Sequence, residues 1–260
     1  MAFSTKYIVG FAAAVCVVCS IFVAGSAVAL KERQDINAVV DKQKQVLKVA
    51  GLLKEDETIS NAEVAKRFET NLVPRVVNLE TGEYAADVDA AGFDQDKAAK
   101  DPATSEAAPA GNPAKVQRVP KQALIYQLVG PDKAIKALII PVEGKGLWST
   151  LKGFIALDTD TTTVQGLTFY SHKETPGLGG EVDNPKWKAL WPGRKVFDDQ
   201  WNAKLTVVKG QAGPPADDPF RVDGLAGATL TSRGVTHLVQ FWLGADAFGP
   251  YLKRFREKGE

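Results

Sequence analysis

The chain opens with an unbroken apolar run, and residues 7–30 carry no charged side chain. About 24 residues of helix, rising about 1.5 Å each, are enough to cross a hydrocarbon layer of about 30 Å. The run therefore predicts a single membrane-spanning helix over 7–30, preceded by a short tail, 1–6. A cleavable signal is the rival reading, because Ala27-Val28-Ala29 has the small-residue form of a processing site. Signal apolar regions run only about 7–15 residues, so the length favours a retained anchor. Over residues 31–55, Ile36, Val39, Val40, Val46, Leu47 and Val49 alternate with Lys, Gln and Asp, as in a polar-faced helix continuing from the membrane. A second helix is expected over 61–70, burying Ala62, Val64, Ala65 and Phe68. Residues 87–120 turn to Ala, Asp, Lys and Pro, the pattern of a long surface excursion with little to bury.

From residue 123 the period shortens. Apolar runs at 123–129, 137–142, 152–157 and 164–170 are separated by turn formers at 130–132, 144–146 and 158–161. Strands this close, with no helix between them, predict an antiparallel sheet. A further strand is expected at 204–208. A helix is expected at 232–243, where Val235, Leu238, Val239 and Trp242 recur at i, i+3, i+4 and i+7. The fold class is α+β, an antiparallel sheet packed by helices. The expected divisions are the tail 1–6, the membrane helix 7–30, a helical stalk and variable region 31–120, and a sheet domain 121–260.

Charge narrows the function. A net charge of +1 over 260 residues, with no basic stripe interleaved with aromatics, predicts no nucleic-acid role. Cys16 and Cys19 both lie in the apolar run, on one helix face, as small packing residues or as contacts to a partner helix. Their absence elsewhere fits an oxidising compartment. Two histidines, His172 and His237, and no cysteine beyond the run leave too few ligands for a zinc or iron–sulfur centre, so no metal site is expected. With no ionisable residue in 7–30, an ion path would have to run through other chains.

Two segments carry candidate chemistry. Asp223-Gly-Leu-Ala-Gly-Ala-Thr-Leu-Thr-Ser232 is a small-residue turn that delivers hydroxyls to a helix start. Helix starts offer unpaired N–H groups and partial positive charge, which suit a phosphate. The ordinary use of a hydroxyl there is as an N-cap. The second segment, His172-Lys-Glu-Thr-Pro-Gly-Leu-Gly-Gly180, follows the fourth strand. Gly177, Gly179 and Gly180 would let the backbone approach a flat ligand, Leu178 would offer it an apolar face, and Glu174 and Thr175 could hydrogen-bond its polar edge. The same residues would also make a tight turn.

Together the two segments resemble the C subunit of the bacterial sodium-translocating NADH:quinone oxidoreductase. The likeness rests on the N-terminal membrane helix, Gly-Leu-Trp at 146–148, His-Lys-Glu-Thr-Pro-Gly-Leu-Gly-Gly-Glu-Val at 172–182, and Asp-Gly-Leu-x-Gly-Ala-Thr-Leu-Thr-Ser at 223–232. The resemblance implies an FMN-binding domain, with FMN joined through its phosphate to the hydroxyl of Thr229 by a flavin transferase that uses FAD and Mg²⁺. It implies Asp223 as a recognition residue for that transferase, with Gly227 and Ala228 beside the phosphate and the N–H groups of Leu230 and Thr231 and the Thr231 hydroxyl as its expected donors. Glu174, Thr175, Gly177, Leu178 and Gly179 would lie beside the ring, with Trp148 as its wall. Ala226 departs from the Ser or Thr usual at its position. The implied role is an electron relay from NADH towards ubiquinone within a bacterial inner-membrane assembly of six subunits, the flavin domain facing the periplasm. Rival expectations are the related G subunit of the Rnf ferredoxin:NAD complex and a non-redox anchored module.

Overall fold

The computed structural model describes residues 4–259, so residues 1–3 of the expected tail lie outside the described residues. The apolar run and the polar-faced stretch after it form one helix, α1 (Thr5–Val49). An 18-residue window within it has a mean hydropathy of 2.6, and by length and composition the helix is able to cross a membrane. Cys16 and Cys19 are exposed on it. Residues up to Lys42 form one compact unit and residues from Gln43 onward a second. The expected boundary at 121 is therefore not a boundary of the fold: much of 43–120 belongs to the same body as the sheet.

That body begins with the end of α1, which buries Val46, Leu47 and Val49. α2 (Asn61–Asn71) starts at Ser60, whose hydroxyl accepts the Glu63 N–H at 3.2 Å. It passes directly into β1 (Leu72–Asn78), a strand the hydrophobic pattern does not announce. The excursion at 87–120 is more ordered than its composition predicts. It holds α3 (Gln95–Lys100) and the antiparallel pair β2 (Ser105–Ala107) and β3 (Arg118–Pro120). Ala114, Val116 and Val119 there are buried in the main core.

The four expected strands appear as β4 (Gln122–Val129), β5 (Ile135–Lys145), β6 (Thr150–Asp158) and β7 (Val164–Ser171). With β1 they form a five-stranded antiparallel sheet of order β1-β4-β5-β6-β7. After a 3-10 turn (Gly179–Asp183) come α4 (Pro185–Lys188) and the short parallel pair β8 (Thr206–Val207) and β9 (Arg221–Val222). The strand expected at 204–208 is thus reduced to two residues. α5 (Thr229–Leu243) and α6 (Gly249–Lys258) complete the chain.

Helices cover both faces of the sheet. Alternation along a strand sends Leu138, Ile140 and Val142 of β5 into one core with Val235, Leu238 and Val239 of α5 and Phe248 and Leu252 beyond it. The intervening positions face the other way. There Phe68 of α2 stacks edge-on against Tyr126, centroids 5.3 Å apart, and Tyr126 against Phe154 at 6.2 Å. The end of α1 is fastened to the sheet by the Thr168 hydroxyl, which donates to Gln45 Oε1 at 2.6 Å.

Positions four residues apart share a face of a helix, and α5 uses three of them to follow β5. A Cβ on Gly234 would stand 2.5 Å from the Lys145 carbonyl oxygen, and one on Gly144 would stand 2.6 Å from Leu238 Cβ. Trp242 Nε1 donates to the Glu143 carbonyl at 2.6 Å. On another face, the Thr236 hydroxyl accepts the Val207 N–H at 2.8 Å and Gln240 Nε2 donates to the Leu205 carbonyl at 3.0 Å. The helix is held along its length. Gly234→Val is expected to lower unfolding free energy in urea by about 1–3 kcal/mol, the usual cost of overpacking.

Candidate functional site

The site is organised by Glu174, which follows β7 and is only 5% exposed. Its carboxylate accepts the N–H groups of Leu147 (3.2 Å), Trp148 (2.9 Å) and Ser149 (3.1 Å), and the hydroxyl of Thr231 (2.7 Å). The Ser149 hydroxyl adds a longer bond at 3.4 Å, so five donors converge on the acceptor positions of one carboxylate. Burial opposes its ionisation, but the Thr231 hydroxyl and the N–H groups of Trp148, Ser149 and Leu147 outweigh it and hold the carboxyl below the ordinary glutamate range. Glu174 thereby ties the β5–β6 turn to the first turn of α5. It is a brace, and hydrogen bonding to a ring edge, the role expected of it, is already pre-empted.

Thr231 is corrected in the same way. It is fully buried and its hydroxyl is committed to Glu174, so that hydroxyl is not a phosphate donor. Gly179 explains how the two come together. A Cβ there would stand 2.5 Å from Thr231 Oγ1 and 2.7 Å from Glu174 Oε2. Its role is close packing of loop on helix.

α5 begins three residues before its expected start. Its N-cap is Ala228, with no side-chain cap, so Thr229 is the first helical residue and does not act as an N-cap. The reason is local: Gly227 takes φ +71, turning the chain so that Ala228 is buried while Thr229 and Leu230 emerge exposed. Ser232 faces inwards, its hydroxyl accepting the Leu225 N–H at 3.0 Å and so tying the preceding turn to the helix. The exposed Thr229 hydroxyl thus stands at an uncapped helix start.

Around that start lies an apolar surface. Beyond α1, the large hydrophobic side chains left exposed among the described residues are Leu147, Trp148, Leu178 and Leu230. Trp148 is 66% exposed and Leu230 53%. Leu147 and Trp148 adjoin Glu174. Leu178 lies against the turn before α5, where a Cβ on Gly227 would come within 2.9 Å of Leu178 Cδ2. Leu178 and Gly180 donate their N–H groups to the Thr175 carbonyl at 3.1 and 2.9 Å, closing the loop through Gly177 at φ +75. Thr175 itself is exposed. Leu147 was not singled out from sequence, although it sits inside the Gly-Leu-Trp turn.

Asp223 belongs to a different set of contacts. Its Oδ1 accepts the Ala212 N–H at 2.9 Å and its carbonyl accepts Trp187 Nε1–H at 2.8 Å, and the Gly224 N–H donates to the Gly210 carbonyl at 2.8 Å. The entry to the turn is therefore fixed against residues 210–212. Ala226 is exposed. His172 bonds Asp183 Oδ2 through Nε2 at 2.7 Å and accepts the Glu174 N–H at Nδ1. It shapes the turn. The Asp183 hydrogen bond raises the His172 pKa against the opposing effect of burial. The pair's contribution to stability is full below the ordinary imidazole value and fades as pH rises through the raised one. In Asp183→Asn, ring-proton NMR across roughly pH 5 to 8 is expected to show His172 titrating lower than in the parent.

An FMN-binding domain family model matches residues 146–244, which span the turn, the Gly-rich loop and α5. The C subunit of the Na(+)-translocating NADH-quinone reductase of Pseudomonas aeruginosa is 49% identical over 248 residues, covering 95% of this chain and 94% of that one. The Yersinia pestis counterpart is 46% identical, covering 93% and 90%. The crystal structure of Shewanella oneidensis NqrC superposes with a TM-score of 0.75 at 32% identity, covering 83% of this chain and 96% of that one. The corresponding Parabacteroides distasonis structure gives 0.64 at 27% identity, covering 86% and 96%. At these identities and coverages, and with the same fold, the chain belongs to the family of Na(+)-translocating NADH-quinone reductase C subunits.

Proposed function

We propose that this chain is the electron-relay C subunit of a membrane-bound NADH:quinone reductase, carrying FMN esterified through its phosphate to Thr229. The observation that carries this reading is the exposed apolar patch of Leu147, Trp148, Leu178 and Leu230 beside an exposed hydroxyl on an uncapped helix. A flat apolar ring and a phosphate are what those two features suit. When bound, FMN supplies the redox chemistry, passing electrons singly from the NADH side towards ubiquinone. The chain's residues bind and orient. Trp148 and Leu178 offer surfaces for the ring and exclude water from it. The N–H groups of Thr229 and Leu230, at the positive end of α5, favour the phosphate by about 0.3–1 kcal/mol each. Glu174, braced to Thr231, keeps the two halves of the site in register, and Gly177 and Gly179 shape the loop.

Attachment is a phosphoryl-type transfer on a separate flavin transferase with Mg²⁺. Thr229 Oγ1 attacks the FMN-side phosphorus of FAD and the anhydride bond to AMP breaks. AMP leaves, and the hydroxyl proton is released to solvent. Asp223 serves recognition, while Gly227 and Ala228 leave the hydroxyl accessible. Beyond α1 as inner-membrane anchor, the other members of an assembly of six subunits surround the chain, with the flavin domain on the periplasmic side. Relatives at 49% and 46% identity favour the quinone reductase over the Rnf reading. The test is direct: chain co-expressed with the transferase, denatured and washed, should keep yellow fluorescence on a gel. A colourless band under those conditions would sink the ester and favour a non-redox module.

A further inference from the structure

A second feature adjoins the apolar patch. A cleft of about 730 Å³ opens between α3, residues 115–118 and the facing ends of β5 and β6. Lys100, Lys115, Arg118, Lys145 and Lys152 line it, against Asp96 and Glu143. Lys152 pairs with both carboxylates, so the acidic side chains of the cleft are engaged by one of its five cations. Lys100, Lys115, Arg118 and Lys145 form no ion pair among the described residues. Five cations and two carboxylates leave a net of +3 in the cleft, in a chain whose total is +1. Like charges crowded this way repel unless something negative lies between them.

The charges are also held in place. Lys115 takes φ +57, a left-handed conformation unusual for a residue other than Gly, Asn or Asp. Asn112 maintains it. Its Oδ1 accepts the Val116 N–H at 3.1 Å and its Nδ2 donates to the carbonyls of Val116 at 2.8 Å and Pro109 at 3.0 Å. The Lys145 N–H then binds the Ala114 carbonyl at 2.9 Å, fastening this loop to β5. Arg118 is fixed through Nε and Nη2 to Ser105, both at 2.7 Å. The left-handed turn and its hydrogen bonds fix where the Lys115 side chain leaves the backbone.

We propose that this cleft receives a carboxylate-bearing segment of a neighbouring protein subunit, seating the apolar patch against its partner by charge. The proposal rests on the reading of the chain as one subunit of a reductase complex. The cations come from α3, the 115–118 segment and β5–β6, so positive charge surrounds an open cleft on three sides, which suits an extended acidic segment. Continuity with the patch is direct, because Lys145 Nζ donates to the Trp148 carbonyl at 3.3 Å. A partner bound over the cleft therefore also reaches Trp148. Opposite charge across such an interface sets orientation and salt sensitivity.

The test is zero-length carbodiimide coupling in the assembled complex, followed by peptide mapping. Coupling condenses a lysine amine with a carboxyl group, the carbodiimide taking up the water as it becomes a urea. The expected products join Lys100 or Lys115 to an Asp or Glu of another subunit. Lys100→Gln with Lys115→Gly should remove them, glycine being at ease at the positive φ of that position. The same double variant should be retained by the complex about tenfold less firmly in a salt wash. Its in-gel flavin fluorescence should match the parent, since neither residue belongs to the flavin site. Cross-links confined to lysines outside the cleft, such as Lys253 of α6, would overturn the proposal, as would unchanged retention of the variant. Saturable binding of inorganic pyrophosphate to the cleft without effect on retention would replace it with a small-anion site. A colourless parent chain with cleft cross-links intact would count against the flavin ester alone.

Discussion

Thr229→Leu is expected to abolish covalently retained flavin, while Thr231→Ala keeps it and loses stability instead. The two hydroxyls lie two residues apart, but their surroundings are opposite. Thr229 is exposed at the first helical position, where a leucine is free to stand in solvent, so its loss should shift stability by no more than about 0.5 kcal/mol. Thr231 is fully buried and donates to a carboxylate, a bond of the charged class worth about 1.5–3 kcal/mol. In-gel fluorescence and urea denaturation on the same preparations should therefore separate in opposite directions. Fluorescence retained in Thr229→Leu would place the ester on another hydroxyl.

Glu174→Gln is expected to destabilise the fold by about 1–3 kcal/mol, the cost of leaving a buried donor unpaired. An amide presents one acceptor oxygen and one donor nitrogen to a cluster of three N–H groups and two hydroxyls. At least one N–H must then face an NH2. The carboxyl is held below its ordinary value of 4.5 in the fold. Its contribution is therefore present above the unfolded value and lost as pH falls through the folded one. Urea midpoints of parent and variant should converge as pH drops below about 4.5. A gap that stays constant down to acid pH would show that the brace does not depend on charge.

The strands β4 to β7 were legible because alternation and turn formers recur together, and the period of α5 marked its buried face. β1 was not, for two reasons. Pro74 lacks the N–H that a central strand needs, and the strand follows α2 with no turn between them. At the sheet edge the missing donor is tolerated. The order within 87–120 was hidden because its fastenings are hydrogen bonds such as those of Asn112, which leave no hydrophobic period. The start of α5 was misplaced because Gly227 and two threonines read as loop, whereas a buried Ala228 and the inward bond of Ser232 begin the helix early.

The motif segments point to a ligand site, and Trp148, Leu178, Leu230 and Thr229 within them are exposed. What the motifs hid was the division of labour inside them. Glu174, Thr231 and Gly179 look like ligand contacts in one dimension because they stand next to residues that are exposed. In three dimensions they are the inner layer that keeps the exposed layer in position. Only the distances between 147–149, 174 and 231 distinguish the two layers.

Those separations also set an order of events. Glu174 draws on N–H donors 25 to 27 residues before it and on a hydroxyl 57 residues after it. Contacts of that span carry a loop-closure cost and form only once the chain between them has closed. A chain still emerging or half-folded would carry the Thr229 sequence without the turn that displays it. Cofactor loading would then follow completion of the fold, and the flavin-bearing fraction of a preparation would count the molecules that reached it.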